Sequence, residues 1–225
     1  MKILFSAITL LTAVTLNSQV QFGVFAGPQA TDVRYTINDK KQKTSMKVGV
    51  NAGFQIKVPF ENRLSFGPSI MYNLRGYEVD KFVGGIAFPP DSLAANVNTS
   101  FHTIELAFLL QHDFNLEPGH FFIRFGPSLD FALFGNEKFT TINNDKVDRS
   151  MKFSFSDYGH YLASAIIQLG YEAKNGWFVY GHYNYSLTTM NNWDYGPGIG
   201  NRAAGLTVGK YFKRNKIVID TQNKQ

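Results

Sequence analysis

The residue types that suggest chemistry most directly are four basic and four acidic side chains spread through the chain. Each lies on the polar side of a stretch in which polar and apolar residues alternate, so all eight are expected on one face of the structure. Enclosed charges of opposite sign are expected to pair. The pattern therefore predicts a structural charge network, with a narrow ion path as the alternative. Its members are Lys47, Lys57, Arg75, Glu105, Asp113, Arg124, Asp130 and Glu172.

Other residues that carry chemistry do not form a recognisable site. The chain has no Cys, which excludes disulfides, thiolate metal ligands and a Cys nucleophile. If residues 174–176 form a tight turn, Gln168 rather than His160 lies opposite His182, and the two histidines are far apart. The Gly-rich residues 196–200 follow no strand-to-helix pattern, so they do not suggest a phosphate-binding loop. We predict no catalytic, cofactor-binding or metal-binding residues.

The elements that position the charges are extended strands, because the sequence alternates with a period of two residues almost throughout. In residues 47–58, for example, Val48 and Val50 alternate with Gly49 and Asn51. The predicted strands are roughly 9 to 15 residues long, which is enough to cross a membrane. They lie at residues 20–30, 47–58, 63–75, 103–114, 120–134, 158–173, 177–187 and 203–212.

The connections between these strands alternate between short and long. The short ones, at residues 59–62, 115–119 and 174–176, contain the Asn, Pro or Gly that tight turns require. The long ones lie at residues 31–46, 76–100, 135–154 and 188–202. Short turns at one rim and long loops at the other are typical of outer-membrane barrels. We therefore predict short periplasmic turns and long extracellular loops.

The small residues on the polar face indicate which side of the sheet is enclosed. Gly49, Gly53, Gly67, Ser128 and similar residues suit the narrow interior of an eight-stranded barrel. Tyr and Trp near the strand ends suit membrane–water interfaces. The sequence therefore predicts an all-β, eight-stranded antiparallel transmembrane β-barrel. A soluble lipocalin-like barrel with an apolar interior is the alternative fold.

The N-terminal segment predicts export. Lys2 precedes a short apolar stretch at residues 3–16, followed by small and polar residues, as in a signal peptide. We predict a signal peptide at residues 1–19, an outer-membrane β-barrel at residues 20–212 and a basic periplasmic tail at residues 213–225. The expected location is the outer membrane of a Gram-negative bacterium.

Several strand motifs resemble those of a known family. They are the Gly-rich first strand at residues 22–27, the repeated Phe-Gly-Pro-Ser at residues 66–69 and 125–128, and Thr-Ile-Glu-Leu-Ala-Phe-Leu-Leu at residues 103–110. Together they resemble the PorT-like outer-membrane β-barrel proteins of Bacteroidetes, although Ala107 stands where the family usually has Pro. The resemblance implies an outer-membrane barrel and an accessory role in protein secretion or gliding motility.

The second long loop is unusually apolar for an exposed segment. Exposed apolar loops often contact partners, and Pro89 and Pro90 would stiffen this one. We predict a contact patch here, with a loop folded over the barrel mouth as the alternative. Its members are Phe82, Val83, Ile86, Phe88 and Leu93.

These features favour a non-enzymatic envelope protein that binds or scaffolds at the cell surface around a plugged polar lumen. The alternatives are the secretion or gliding accessory, a soluble periplasmic lipocalin-like binder and a barrel enzyme that modifies lipids or peptides. The expected partners are outer-membrane lipid, the barrel-assembly machinery, which the aromatic end of residues 203–212 suggests, and a protein at the external loops. The net charge of +5 is scattered, so we predict no nucleic-acid binding.

Overall fold

The computed structural model describes residues 20–212, so the predicted signal peptide and C-terminal tail lie outside the described residues. The described chain forms ten strands. They are β1 (Gln21–Ile37), β2 (Lys40–Lys41), β3 (Thr44–Glu61), β4 (Leu64–Val79), β5 (Val97–Asp113), β6 (His120–Thr140), β7 (Lys146–Ser150), β8 (Tyr161–Glu172), β9 (Trp177–Ser186) and β10 (Gly198–Phe212).

The eight long strands form a closed ring. Each pairs antiparallel with its neighbours in the order β1, β3, β4, β5, β6, β8, β9 and β10, and β10 pairs with β1 to complete the circle. The closing seam runs from the pair Phe22 and Phe212 to the pair Thr36 and Gly198. The short strands β2 and β7 add only to β1 and β6. The predicted eight-stranded antiparallel barrel is confirmed.

Six of the eight barrel strands are longer than the sequence predicts, whereas β8 and β9 are shorter, and the observed lengths run from 10 to 21 residues. Most of the first predicted loop, residues 31–46, is strand, because β1 continues to Ile37 and β3 begins at Thr44. Asn38 and Asp39 make the turn between β1 and β2, with φ angles of 46° and 62°. Positive φ at two successive residues is the geometry of a tight hairpin, which Asn and Asp tolerate well.

The apolar face of the barrel points outward. Val48 is 85% exposed and Phe54 is 66% exposed, whereas the alternating residues Asn51 and Gln55 are buried in the lumen. An outward apolar face with a polar interior is the arrangement expected in lipid. It argues against the lipocalin-like alternative, which requires the reverse.

Near the long loops, the polarity of both barrel surfaces reverses, so the lumen becomes apolar and the outer surface becomes polar. The lumen residues of β1 change from Gln29 to Val33 and Tyr35, which join a buried apolar cluster with residues of the other strands and loops. The outward residues change from apolar to polar, as at Arg34 and Lys138. This part of the ring therefore has the inside and outside of a water-soluble barrel, and it marks the portion that stands above the membrane.

Within residues 20–212, no helix is long and apolar enough to cross a membrane.

The closing seam provides a test of the packing. Gly27 of β1 lies against β10, and a methyl group there would overlap the carbonyl oxygen of Leu206. We expect Gly27→Ala to lower the free energy of unfolding by about 1–3 kcal/mol, the usual cost of overpacking. Urea unfolding in lipid vesicles, followed by gel mobility without boiling, measures this change.

The matched control is Gly181→Ala in β9. The nearest atom to a methyl group there is Leu206 Cδ2, at 3.8 Å, which is an ordinary contact. This variant is expected to unfold at the same urea concentration as the wild type. Equal midpoints for the two variants would show that the seam does not need Gly27.

Candidate functional site

The periplasmic end of the lumen holds a compact charged group. Lys57 Nζ lies 3.0 Å from Asp113 Oδ2 and 2.9 Å from Glu172 Oε2. His120 Nε2 lies 3.2 Å from Asp113 Oδ1. Asp113, His120 and Glu172 adjoin two of the short turns, so the turns bring these groups together. One lysine thus bridges two carboxylates at the base of the barrel.

A second group surrounds Arg124. Its Nη1 donates to Gln55 Oε1 at 2.9 Å, its Nη2 to Tyr211 Oη at 2.9 Å and its Nε to Gln111 Oε1 at 2.5 Å. The guanidinium carbon also lies 4.3 Å from the ring centre of Phe122. Among the described residues, Arg124 has no carboxylate partner, so amide oxygens and an aromatic face replace the water that it loses.

A third group, centred on Arg75, is the most deeply buried. Arg75 donates to Glu105 at 2.6 Å and to Asp130 at 2.8 Å. Glu105 also accepts hydrogen bonds from Ser128 and Asn184, each at 2.6 Å. Five strands therefore contribute to one network, namely β4, β5, β6 and β9 through these residues and β1 through Gln29, which bonds Asn73 beside them. Buried charges held this way are paired and hydrogen-bonded, as a low-dielectric interior requires.

The structure places seven of the eight predicted network residues in the lumen, but in three groups rather than one. Lys57, Asp113 and Glu172 form one group, and Arg75, Glu105 and Asp130 form another. Arg124 is held by amides, one of which, Gln111, also donates to Asp113 at 2.5 Å and so links Arg124 to the Lys57 group. The sequence analysis overlooked the amide residues Gln55, Gln111 and Asn184. They share the faces of the charged residues, and alternation alone is the signal that would have identified them.

Lys47 departs from the prediction, because its ammonium lies outside the lumen. Its Nζ donates to Asn98 Oδ1 and Ser100 Oγ, each at 2.7 Å. Pairing between β3 and β4 shifts by one residue between Met46 and Val50. Such a shift redirects side chains relative to the regular alternation. The strand pattern extrapolated through this bulge assigns Lys47 to the wrong face.

The interior between these groups is filled. A void of about 10 Å³ lies beside Arg75, Glu105 and His182, roughly the volume that one water molecule needs. Gln168 pairs with His182 across β8 and β9, as the short turn predicts. His160 is stacked between Phe131 and Phe153 elsewhere. Among residues 20–212, no group of three His, Asp or Glu side chains is arranged to hold a metal ion.

The loop between β4 and β5, residues 80–96, covers the external mouth, and we call it the canopy. Tyr35 Oη donates to Pro89 O at 2.8 Å, and Arg149 Nη2 donates to Pro90 O at 2.6 Å. Arg149 is itself held by Glu137 at 2.7 Å. The canopy is therefore anchored to β1 from below and to β7 from the side.

The predicted contact patch is divided by this arrangement. Phe82 packs on Tyr35 with ring centres 5.1 Å apart, and Phe88 meets the edge of Trp193 at 5.6 Å. Val83, Ile86 and Leu93 remain on the surface, and Ile86 is 58% exposed. The canopy thus does both things that its composition suggested, since it closes the mouth and leaves apolar side chains outside.

A buried tyrosine belongs to the same apolar cluster as the canopy residues Ala87 and Ala94. Tyr158 belongs to the segment between β7 and β8 and forms an isolated bridge with Asn191 of the next external loop. Burial raises the pKa of Tyr158 well above its ordinary value, so the hydroxyl stays protonated at neutral pH. It adds a neutral polar group, rather than a charge, to the apolar cluster under the loops.

Comparison with known sequence families agrees with the barrel fold. A sequence model of the family described as "Outer membrane protein beta-barrel domain" matches residues 13–192. The chain belongs to this family. The family and the outward apolar face together place this outer-membrane barrel protein in the outer membrane. No curated protein matches the chain.

Solved structures similar to this outer-membrane barrel include three bacterial proteins. OprG of Pseudomonas aeruginosa is 10% identical, with a TM-score of 0.46 and coverage of 88% of this chain and 98% of that one. Ail, the attachment invasion locus protein of Yersinia pestis, is 14% identical, with a TM-score of 0.45 and coverage of 86% and 99%. Neisserial surface protein A is 11% identical, with a TM-score of 0.43 and coverage of 85% and 97%.

The Arg75 group of this outer-membrane barrel can be tested by removing its cation. Arg75→Met leaves Glu105 and Asp130 buried without their shared partner, and breaking a buried pair this way costs about 3–5 kcal/mol. We expect a loss of that size in the free energy of unfolding, measured by urea titration in lipid vesicles.

Lys138→Met is the control, because its 2.8 Å pair with Asp148 is exposed to solvent. An exposed pair contributes about 0–1 kcal/mol. A loss for Arg75→Met no larger than that for Lys138→Met would contradict a structural role for the central network.

Proposed function

We propose that this outer-membrane barrel is a non-enzymatic surface protein that binds a protein partner through its canopy. The observation that carries the proposal is an apolar surface on a loop that is firmly held. Canopy contacts to Tyr35 and Arg149 fix its backbone, while Val83, Ile86 and Leu93 stay outside. A preordered apolar surface binds with little further entropy cost.

A neighbouring loop enlarges this surface. Ile142, between β6 and β7, donates its backbone N–H to Leu93 O at 2.9 Å, and both side chains are exposed. Phe88, Trp193 and Tyr195 form a second run, with successive ring centres 5.6 and 6.4 Å apart. Aromatic and branched apolar residues of this kind are those that dominate protein interfaces.

The filled lumen supports a binding role over a transport role. In this proposal the three internal groups hold the ring rigid beneath the canopy, and the signal peptide at residues 1–19 delivers the chain for assembly. The motifs at residues 22–27 and 103–110 support a PorT-like subfamily. Under that assignment the partner is a component of a secretion or gliding apparatus, and a deletion strain would lose secretion or gliding.

The binding proposal is tested with a photo-crosslinking amino acid placed at Ile86 in living cells. We expect one discrete covalent adduct with another protein at Ile86 and none when the probe replaces Lys146, an exposed polar residue of the same external end. Adding Leu93→Glu should abolish the adduct at Ile86, whereas Lys146→Glu should leave it. Equal adducts at both positions, or none at Ile86, would overturn the proposal.

The plugged lumen gives a separate expectation. Purified protein in a planar lipid bilayer should show no steady single-channel conductance, because the void beside Arg75 holds about one water molecule. Discrete, voltage-independent openings in the wild-type protein would favour the ion-path alternative. A heat-modifiable gel shift of the same preparation establishes that the protein tested is folded.

A further inference from the structure

Beside the canopy, on the outer surface, the first hairpin and the last external loop enclose a polar cleft. It measures about 370 Å³. Its floor is formed by the start of β10, where two of the three lining residues are glycines, and its walls carry two cations and three hydroxyls. None of its described lining residues is acidic. They are Arg34, Thr36, Lys41, Leu187, Thr188, Thr189, Gly198, Ile199 and Gly200.

Arg34 is held in position before any ligand arrives. It pairs across the seam with Gly200, whose missing side chain leaves room for the guanidinium. Its Cζ lies 4.4 Å from the ring centre of Tyr185, and its Nη2 donates to Ser186 O at 3.0 Å. That bond uses one of the five N–H donors of an arginine. A stacked and tethered guanidinium is preordered for a bidentate anion.

Lys41 supplies a second positive charge to the same cleft. It lies opposite Thr36 on the adjoining short strand β2, and its side chain is exposed. Among residues 20–212, neither Lys41 nor Arg34 forms a salt bridge. Two other outward cations at this end differ in this respect, since Arg202 pairs with Asp32 at 2.6 Å and Lys138 pairs with Asp148 at 2.8 Å. The cleft therefore concentrates charge that the protein itself leaves unneutralised.

The cleft lies just above the membrane-facing part of the barrel surface. Below it, on the same outer face of β9 and β10, lie the exposed side chains of Tyr183 and Leu206. Tyr183 and Tyr185 have ring centres 6.5 Å apart and form part of the aromatic belt expected at a membrane–water interface. A ligand in the cleft would thus lie at the level of lipid headgroups, with apolar surface directly beneath it.

We propose that this cleft binds a phosphate group, with Arg34 as the fixed donor and Lys41 as the second cation. The oxygens of a phosphate group match the planar fork of N–H donors of arginine, and the lysine ammonium adds a second attractive charge. The position above Tyr183 and Leu206 favours the headgroup of an outer-leaflet lipid as its source over free phosphate. The site does not depend on the canopy or on its partner.

The experiment uses the full mature protein in detergent, titrated with phosphatidic acid and, separately, with inorganic phosphate. Bound lipid is counted by native mass spectrometry, and phosphate binding is measured by calorimetry. For the double variant Arg34→Gln and Lys41→Gln, we expect the dissociation constant for phosphatidic acid to rise at least about tenfold, from the loss of two charge-assisted hydrogen bonds. Binding of phosphatidic acid alone identifies a lipid site, and equal binding of inorganic phosphate identifies a site for free phosphate.

The matched control is the double variant Lys138→Gln and Lys146→Gln, which removes the same charge from another part of the external end. It should bind phosphatidic acid like the wild type. Lys41→Glu is a second test, because this exposed residue can change without disturbing the barrel, and it should weaken binding on its own. Equal weakening in the control, or unchanged binding in either cleft variant, would overturn the proposal.

Discussion

The structure depends on one constraint, which is that a backbone in lipid has to satisfy its own hydrogen bonds. A strand sheet does so only when its first and last strands meet. Here β1 and β10 meet along a seam from Phe22 to Thr36, on a path so close that Gly27 has no room for a side chain. Closure at eight strands then sets a narrow lumen, and this lumen determines what the inward side chains can be.

The narrow lumen explains why the inward polar side chains form separate groups at different heights along the barrel. Charges enclosed there cannot reach bulk water, so each needs partners nearby. Lys57 finds two carboxylates, Arg75 finds two more, and Arg124 is surrounded by amides and an aromatic ring. The networks join strands that are distant in sequence. They make the barrel a rigid base for the external loops rather than a passage.

Above the membrane, water surrounds the barrel, and the chain packs as a soluble protein does, with an apolar core and a polar outer surface. Water replaces lipid outside, so the outward residues become polar, and the lumen fills with Val33, Tyr35 and their apolar neighbours. The canopy seals this small core and draws its own anchors from β1 and β7. Arg34, which has no acidic partner in the part of the chain that the structure describes, lies over the ring of Tyr185 where the lipid-facing part of the barrel meets the water-facing part. The outer surface at this level therefore carries both an aromatic ring and a positive charge.

Alternation, turn chemistry and loop spacing are local properties, and they were enough to predict the strands, their faces, the periplasmic turns and the pairing of Gln168 with His182. Distant contacts decided the rest. Lys47 left the lumen because of a one-residue shift, and the charged residues separated into groups because their heights depend on how all eight strands are staggered. The length of β1 and the folding of the canopy depended on an apolar core assembled from five or more segments, which no local pattern encodes.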